Sequence, residues 1–427
     1  MLQYLVFAIF IILLIFKYEK ASILIAVLAC WLTLFRDPLN LVNNLYLSLS
    51  FIAALLGAYK FRKKILKSPF ILCVVPVLVS YTITMYYYVF YSKQYLAIFA
   101  QFLFPCIIYC VIDRKERVIL FVKYASILMI LATLYCLFEE TISANPIMHW
   151  CEKHPESFTW FHDRSEQRFG VKRAQSFFSG ESAFGLTCSY IFIILFIMMR
   201  DGAKIMKVKW RKLLILLLPL CVFLTGTRSV ILCFLVACVA LLTPQTIKKY
   251  RIPLLAVGLV LIFFMGSYFT SLYNSIFVDS TEIGGSSSEM REGQWDIAYY
   301  YMNQDFWLGN GVHFTGKLLN SGGEAGLFGA EGMWLPVMMD RGMLGVICTL
   351  SAFLLGLYYI LRRKRYNMIW LWVSFLLMKT LTTGVGIELT YYEIVLIVLF
   401  RYAEFAGVCR NNTNQCEKIF SMKHNSL

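Results

Sequence analysis

Charge is scarce in this chain. Only 15% of its 427 residues are Asp, Glu, Lys or Arg, whereas 59% are hydrophobic and the mean hydropathy is +0.66. Soluble domains carry about 25% charged residues, so a soluble globular fold is excluded. Polar–apolar alternation is missing from the long uncharged runs, which excludes a barrel of membrane strands. Histidine is sparse as well, with five in all. His149, His154 and His162 cluster with Cys151, but their spacing fits no standard ligand pattern, and the stretch reads as a polar loop rather than a metal site. The first apolar run lacks a basic start and a small-residue cleavage site, so it reads as a span and not as a leader. Of the 13 cysteines, most sit inside apolar runs, among them Cys30, Cys73, Cys136, Cys188, Cys221, Cys233, Cys238 and Cys348, where they act as small hydrophobes. Only Cys151 falls clearly in an external loop, so no disulfide framework is expected.

What the chain does have is a succession of apolar runs near 2–16, 21–35, 41–59, 69–90, 95–112, 118–138, 184–199, 213–227, 230–244, 252–270, 342–361, 367–383 and 386–403. About 20 such residues cross a hydrocarbon core of roughly 30 Å. Lipid offers backbone amides no partner, so these runs must be helices. The expected fold is therefore an all-α polytopic membrane protein with about 12 or 13 transmembrane helices. The net charge of +15 is concentrated in short connectors: KFRKK at 60–64, DRKER at 113–117, KVKWRK at 207–212, KKYR at 248–251 and RRKR at 362–365. These fall at alternate helix ends, and by the positive-inside rule that side is cytoplasmic. Basicity here sets topology, and nucleic acid is not an expected partner. The two long connectors, 139–183 and 271–341, then lie outside. With no internal repeat or domain boundary visible, residues 1–408 read as one transmembrane domain and 409–427 as a polar cytoplasmic tail.

One run is interrupted by a permanent charge. In LPLCVFLTGTRSVILCFLVA (218–237), Arg228 sits at the centre of TGTRS, although a charge at mid-bilayer costs about 2.5–3.5 kcal/mol on the insertion scale. From Lys212 to Arg228 is about 24 Å of helix, and from Arg228 to Lys248 about 30 Å. TGTRS therefore lies at the outer edge of the hydrocarbon, where Arg228 either snorkels to the headgroups or faces a wet pocket between helices. Its neighbours Thr225, Gly226, Thr227 and Ser229 offer hydroxyls and close backbone approach, and guanidinium binds phosphate bidentately. Two further outer cations stand near helix starts. Arg173, in KRAQSFFSGESAFG (172–185), precedes a helix expected to begin near Ser182, whose N-terminus favours an anion. Arg291 opens MREGQWDIAYYYMNQ (290–304), where Trp295, Ala298, Tyr299 and Met302 share one helical face.

Arranged in this order, the pieces resemble the O-antigen polymerase and ligase superfamily of bacterial membrane glycosyltransferases. The likeness rests on the TGTRS hairpin and a large external loop after the next helix. That loop holds R-x-x-x-W-x-x-A (Arg291, Trp295, Ala298), a G-x-G (Gly309, Gly311), and a closing G-x-x-G (Gly342, Gly345). The ligase branch typically has a His-Asn pair nine residues ahead of G-x-x-G. Here Glu331-Gly332 keeps that register, so the chain looks more like the polymerase, or Wzy-type, branch.

The resemblance implies a GT-C-like enzyme in the bacterial cytoplasmic membrane. Facing outward, it would transfer a growing glycan from undecaprenyl diphosphate to another lipid-linked repeat unit, for O-antigen, capsule or exopolysaccharide. Arg228, with Arg173 and then Arg291, would hold the diphosphate leaving group. Glu331 and Asp340 are the candidate bases for the acceptor hydroxyl, although Asp340 could instead pair with its neighbour Arg341. Trp295 and His313 fall to the glycan. No compact Asp-rich metal motif is visible, so neither metal nor cofactor is expected. Membrane lipids, and a chain-length regulator, are the other partners to consider. The rivals are the ligase itself and a lipid-linked oligosaccharide flippase, whose repeats are not seen here.

Overall fold

The computed structural model describes residues 2–29, 49–66, 68–90, 92–153, 167–168, 171–178, 180–242, 288–322, 325–327, 330, 332–381 and 391–411. They are almost entirely helical; the exception in regular structure is a two-residue antiparallel ladder, β1 (Gln167–Arg168) with β2 (Val171–Lys172). The protein is an all-α polytopic membrane protein. The expected span at 252–270 and Glu331 lie outside the described residues, and the expected spans at 21–35, 41–59, 230–244, 367–383 and 386–403 and the tail at 409–427 lie partly outside them.

The amino-terminal helices are α1 (Leu2–Phe16), α2 (Tyr18–Ala29), α3 (Leu49–Lys60) and the single turn α4 (Arg62–Ile65), followed by α5 (Pro69–Tyr87), α6 (Ser92–Val111) and α7 (Lys115–Ile142). A short helix, α8 (Pro146–Glu152), then precedes the ladder. After it come α9 (Glu181–Arg200), α10 (Val208–Leu224) and α11 (Arg228–Val239). The second half contains α12 (Ser288–Gln304), α13 (Phe314–Asn320), a 3₁₀ turn at Ala325–Leu327, α14 (Trp334–Arg362), α15 (Asn367–Leu381) and α16 (Tyr391–Asn411).

Among the described residues, α5, α7, α9 and α14 are long and apolar enough to cross a membrane. In α9, 72% of the apolar window is buried, against 22–44% in the other three, which makes α9 the central helix of this set. It packs on α10, α11 and α16. Its ends suit its dipole, with Glu181 in the first turn and Arg200 in the last. Prolines inside α5 (Pro76), α6 (Pro105) and α10 (Pro219) do not end these helices, as is usual where neighbouring helices satisfy the freed carbonyls.

Two helices stand out where the chain reaches its long connectors. The first, α7, runs 28 residues, about 42 Å, and so projects beyond a core of roughly 30 Å. The second, α14, is broken at Gly342, whose φ of 57° and ψ of −154° are non-helical. The segment after the break, 343–362, matches the span expected at 342–361.

Candidate active site

The TGTRS hairpin forms as expected. α10 ends at Leu224, Gly226 turns the chain with φ 59°, and Thr227 caps α11, whose first residue is Arg228. The threonine hydroxyls, expected to face phosphate, are instead spent on the turn. Thr225 Oγ1 donates to Val222 O (2.7 Å), Thr227 Oγ1 donates to Thr225 O (3.2 Å), and both residues are buried. A short polar turn surrounded by apolar helices has no water to satisfy its carbonyls, so the hydroxyls do so. Arg228 and Ser229, at the helix start, are half-buried.

Arg173 stands directly against this hairpin. Its Nη2 reaches Thr227 Oγ1 at 3.3 Å, and the same nitrogen makes a buried ion pair with Glu181 in the first turn of α9. The amide of Ala174 donates to Leu224 O at 3.0 Å. The helix start expected to attract an external anion therefore carries its own carboxylate, Glu181, a residue that sequence reasoning passed over. A second buried pair holds the same segment from behind. Lys172 Nζ lies 3.2 Å from Glu139 Oε1 in α7, and Glu139 Oε2 accepts from the Ser176 amide at 2.8 Å. Both side chains are almost fully enclosed (3% and 0% exposed). Asn145, from the cap of α8, donates to Ser176 O at 2.6 Å. Residues 172–178 are thus pinned on both sides, which fixes Arg173 relative to the hairpin.

The large loop builds a second group. The buried face of α12 is Gln294, Ala298 and Met302, with Gln294 Nε2 donating to Leu327 O at 2.8 Å. Trp295, Ile297 and Tyr301 pack around Ala298, Leu327, Ala330, Leu335 and Met339. Tyr299, expected on that face, is 49% exposed instead. Arg291 is half-buried in the first turns of α12. The turn that follows inserts Gly309–Gly311 into the break in α14. Asn310 N donates to Met339 O (2.8 Å) and Gly311 N to Asp340 O (3.0 Å), while Met343 N donates to Phe306 O (2.8 Å) and Leu344 N to Trp307 O (3.1 Å). The groups a broken helix leaves unpaired are thereby satisfied by the turn. Tyr88, just past α5, closes the other side by donating to Asp305 Oδ2 at 2.7 Å and to the Gly309 carbonyl. Partial burial and the Asp305 carboxylate hold its hydroxyl above the ordinary tyrosine range, so it remains a donor.

Asp340 and Arg341 do not form the local ion pair considered from sequence. Asp340 accepts from His313 N (3.0 Å), Thr315 N (2.7 Å) and Thr315 Oγ1 (2.6 Å), bonding the amides at the start of α13. Arg341, 1% exposed, points the opposite way into the α5–α14 interface. There its Nη1 donates to Ser80 Oγ at 2.8 Å and its guanidinium stacks on Tyr81 with 4.1 Å between centres. Its Nη2 makes no hydrogen bond among the described residues. Arg341 is the functional candidate that sequence reading missed, because adjacency to an aspartate supplied a ready partner. His313, in the left-handed conformation at the cap of α13, is half-buried, and its Nε2 has no hydrogen-bond partner among the described residues. Of the other histidine cluster, His154 and His162 lie outside the described residues. His149 lies 3.3 Å from Glu152, Cys151 is packed beside Met148, and among the described residues no group of three His, Cys, Asp or Glu could hold a metal.

The O-antigen ligase family matches residues 213–350. The match covers about a third of the chain, and over that stretch the chain is similar to the O-antigen ligase family. No curated protein matches the chain. The matching family is described as O-antigen ligase. Its matched stretch begins within α10 and ends within α14. It takes in Arg228, Arg291, Trp295, His313, Glu331, Asp340 and Arg341, and leaves Arg173 outside. The hydrogen bonds described above run within the hairpin group or within the loop group. α15 adjoins both, since Ser374 Oγ donates to Cys233 O of α11 (2.7 Å) and Lys379 O accepts from Met333 N (2.9 Å), ahead of α14.

Proposed function

We propose that the chain is a polysaccharide polymerase. It transfers a growing glycan from undecaprenyl diphosphate to a sugar hydroxyl of a second lipid-linked repeat unit, at the outer face of the cytoplasmic membrane. The observation that carries this reading is Arg228 at the first position of α11, in the turn between two apolar helices and braced through Thr227 by a buried Arg173–Glu181 pair. In the reaction, the acceptor oxygen attacks the anomeric carbon of the donor glycan. The bond from that carbon to the diphosphate oxygen breaks, and the lipid diphosphate leaves with its electron pair and negative charge. Arg228 stabilises that charge with a fixed guanidinium fork. Arg173, already paired with Glu181, positions the hairpin that presents Arg228. Arg291 supplies a further cation from α12.

Glu331 takes the acceptor proton. Asp340, engaged by α13, fixes the loop that carries Trp295 and His313 toward the glycan. The donor is already activated, so the scheme calls for neither nucleotide nor metal. A chain-length regulator is a natural partner for such an enzyme.

Glutamate in place of the His-Asn type pair favours the polymerase. The family's own description, O-antigen ligase, favours the second reading, attachment of finished glycan to a lipid A core. One experiment separates them. Deleting the gene in its native host and running surface glycans on a gel gives a ladder collapsed to one repeat unit for a polymerase. A ligase instead gives intact polymer lacking its lipid anchor. An unchanged ladder defeats both.

A further inference from the structure

A polar cavity lies at the opposite, basic end of the bundle. Its volume is about 440 Å³, the size of a small-molecule site. Four cationic side chains line it, Lys115, Arg200, Lys364 and Arg365, against one carboxylate, Asp201. That carboxylate is already engaged, accepting from Tyr402 Oη at 3.0 Å and lying 3.7 Å from Arg200 Nε. Lys364 and Arg365 have no ion-pair partner among the described residues, and Lys115 Nζ rests 5.8 Å from the Tyr402 ring centre. The cavity therefore holds uncompensated positive charge.

The backbone around it is built to hold those groups in place. Lys364 occupies the left-handed region with φ 52°, and the amides of Lys364 and Arg365 close the end of α14 on Leu361 O and Ile360 O. A lysine held in that conformation is strained, and it directs the RRKR connector into the cavity wall. The wall also includes Asn367 and Met368, in the first turn of α15, and Lys115 at the start of α7, so two long helices begin here with their positive ends. The carbonyls at the end of α9 are met by the amides of Asp201, Gly202 and Ala203. Behind, Arg401 is fixed by Glu404 Oε2 (2.7 Å) and Ile112 O (2.8 Å), so the wall from α16 is rigid and that cation is spent.

We propose that this cavity is a binding site for a phosphate-bearing anion, and that its natural occupant is the headgroup of an anionic phospholipid. Basic pockets between helices on the positive side of a membrane protein suit such headgroups. Ile197, Ala240, Met368 and Ala403 complete the lining with apolar surface, which suits the glycerol and acyl root of a lipid. The site is independent of the catalytic reading above and makes no use of its residues.

The full-length protein, placed in nanodiscs of dioleoylphosphatidylcholine with dioleoylphosphatidylglycerol, is expected to retain phosphatidylglycerol preferentially in native mass spectrometry. Each cation removed should weaken that retention by roughly fivefold. Lys364→Gln/Arg365→Gln and, separately, Lys115→Gln should show the loss, whereas Arg62→Gln/Lys63→Gln, in another basic connector, should not. Displacement by millimolar inorganic phosphate assigns the site to phosphate from either source; resistance to it assigns the site to the lipid headgroup. Equal retention in the cavity variants and wild type, with all of them eluting as folded monodisperse protein, overturns the proposal.

Discussion

Gly309 and Gly342 lie backbone to backbone. A Cβ built on Gly309 would sit 2.6 Å from the amides of Arg341 and Gly342, and one built on Gly342 would sit 2.6 Å from Gly309 N and Phe306 O. Both have positive φ, 67° and 57°. The G-x-G and the first glycine of G-x-x-G are thus two halves of one device. The break in α14 opens a gap only glycine permits, and the turn that fills it brings α12 and α13 against the helix. The loop's position over the bundle follows from this contact.

Substituting either glycine should therefore be severe. Alanine at Gly342 must adopt a backbone region nearly reserved for glycine, at about 1–3 kcal/mol, and must also force the touching backbones away from each other. Gly342→Ala and Gly309→Ala are expected to lower the thermal midpoint of detergent-solubilised protein by several degrees or to abolish its recovery. Gly293→Ala is the control, since it lies in α12 with open space around it and should gain up to about 1 kcal/mol from helix propensity. A Gly342→Ala protein that melts like wild type would contradict the described contact.

The buried Glu139–Lys172 pair gives a second test. Removing the cation alone leaves a carboxylate enclosed without compensation, which costs about 3–5 kcal/mol. Lys172→Met should therefore destabilise strongly. Glu139→Gln in the same background should recover most of the loss, because glutamine keeps an acceptor for the Ser176 amide while shedding the charge. Additive losses in the double variant, measured by unfolding in detergent, would show that the two groups do not compensate each other.

Among the described residues helix positions were largely legible, because a 20-residue apolar run has one solution in lipid. The TGTRS turn and the helix at 290–304 followed from breaker residues and 3.6-residue periodicity. What was not legible came from contacts between distant segments. Arg341 meets Ser80 from the far end of the chain, and no local pattern announces that partner. Arg173 meets Thr227 across two helices. The face of α12 was read from i, i+3, i+4, i+7 spacing, which included Tyr299, whereas the helix buries Gln294 because Leu327 O needs a donor. The glycine motifs were visible as spacing, but their pairing exists only once α14 breaks.

For the proposed chemistry, Arg228→Lys is the sharpest substitution. It keeps the charge and loses the bidentate fork. Expression and insertion should be retained while long-chain polysaccharide falls by about 10²-fold or more, the scale seen when one transition-state donor is removed. Glu331→Gln should reduce polymer by a similar factor, about 10²–10⁴ for loss of a general base. Wild-type chain lengths in Arg228→Lys would remove the diphosphate role from that residue, and unaltered output in Glu331→Gln would remove the base.

Asp340 separates a positioning role from a chemical one. Its carboxylate accepts both the amide and the hydroxyl of Thr315, so disrupting either partner damages the same contact. Asp340→Asn sets an amide donor against the Thr315 amide and hydroxyl and leaves a buried amide unsatisfied, at about 1–3 kcal/mol. Thr315→Val removes the hydroxyl alone, at about 1 kcal/mol. In a double-mutant cycle read by thermal unfolding the two should fall short of additivity, because valine has already given up the hydroxyl bond that asparagine would lose. The same variants should leave the pH profile of polymer synthesis unmoved, since a carboxylate that only holds α13 contributes no titration to the chemical step. An Asp340→Asn enzyme whose pH profile loses its acidic limb would instead make Asp340 the base and relieve Glu331 of that role.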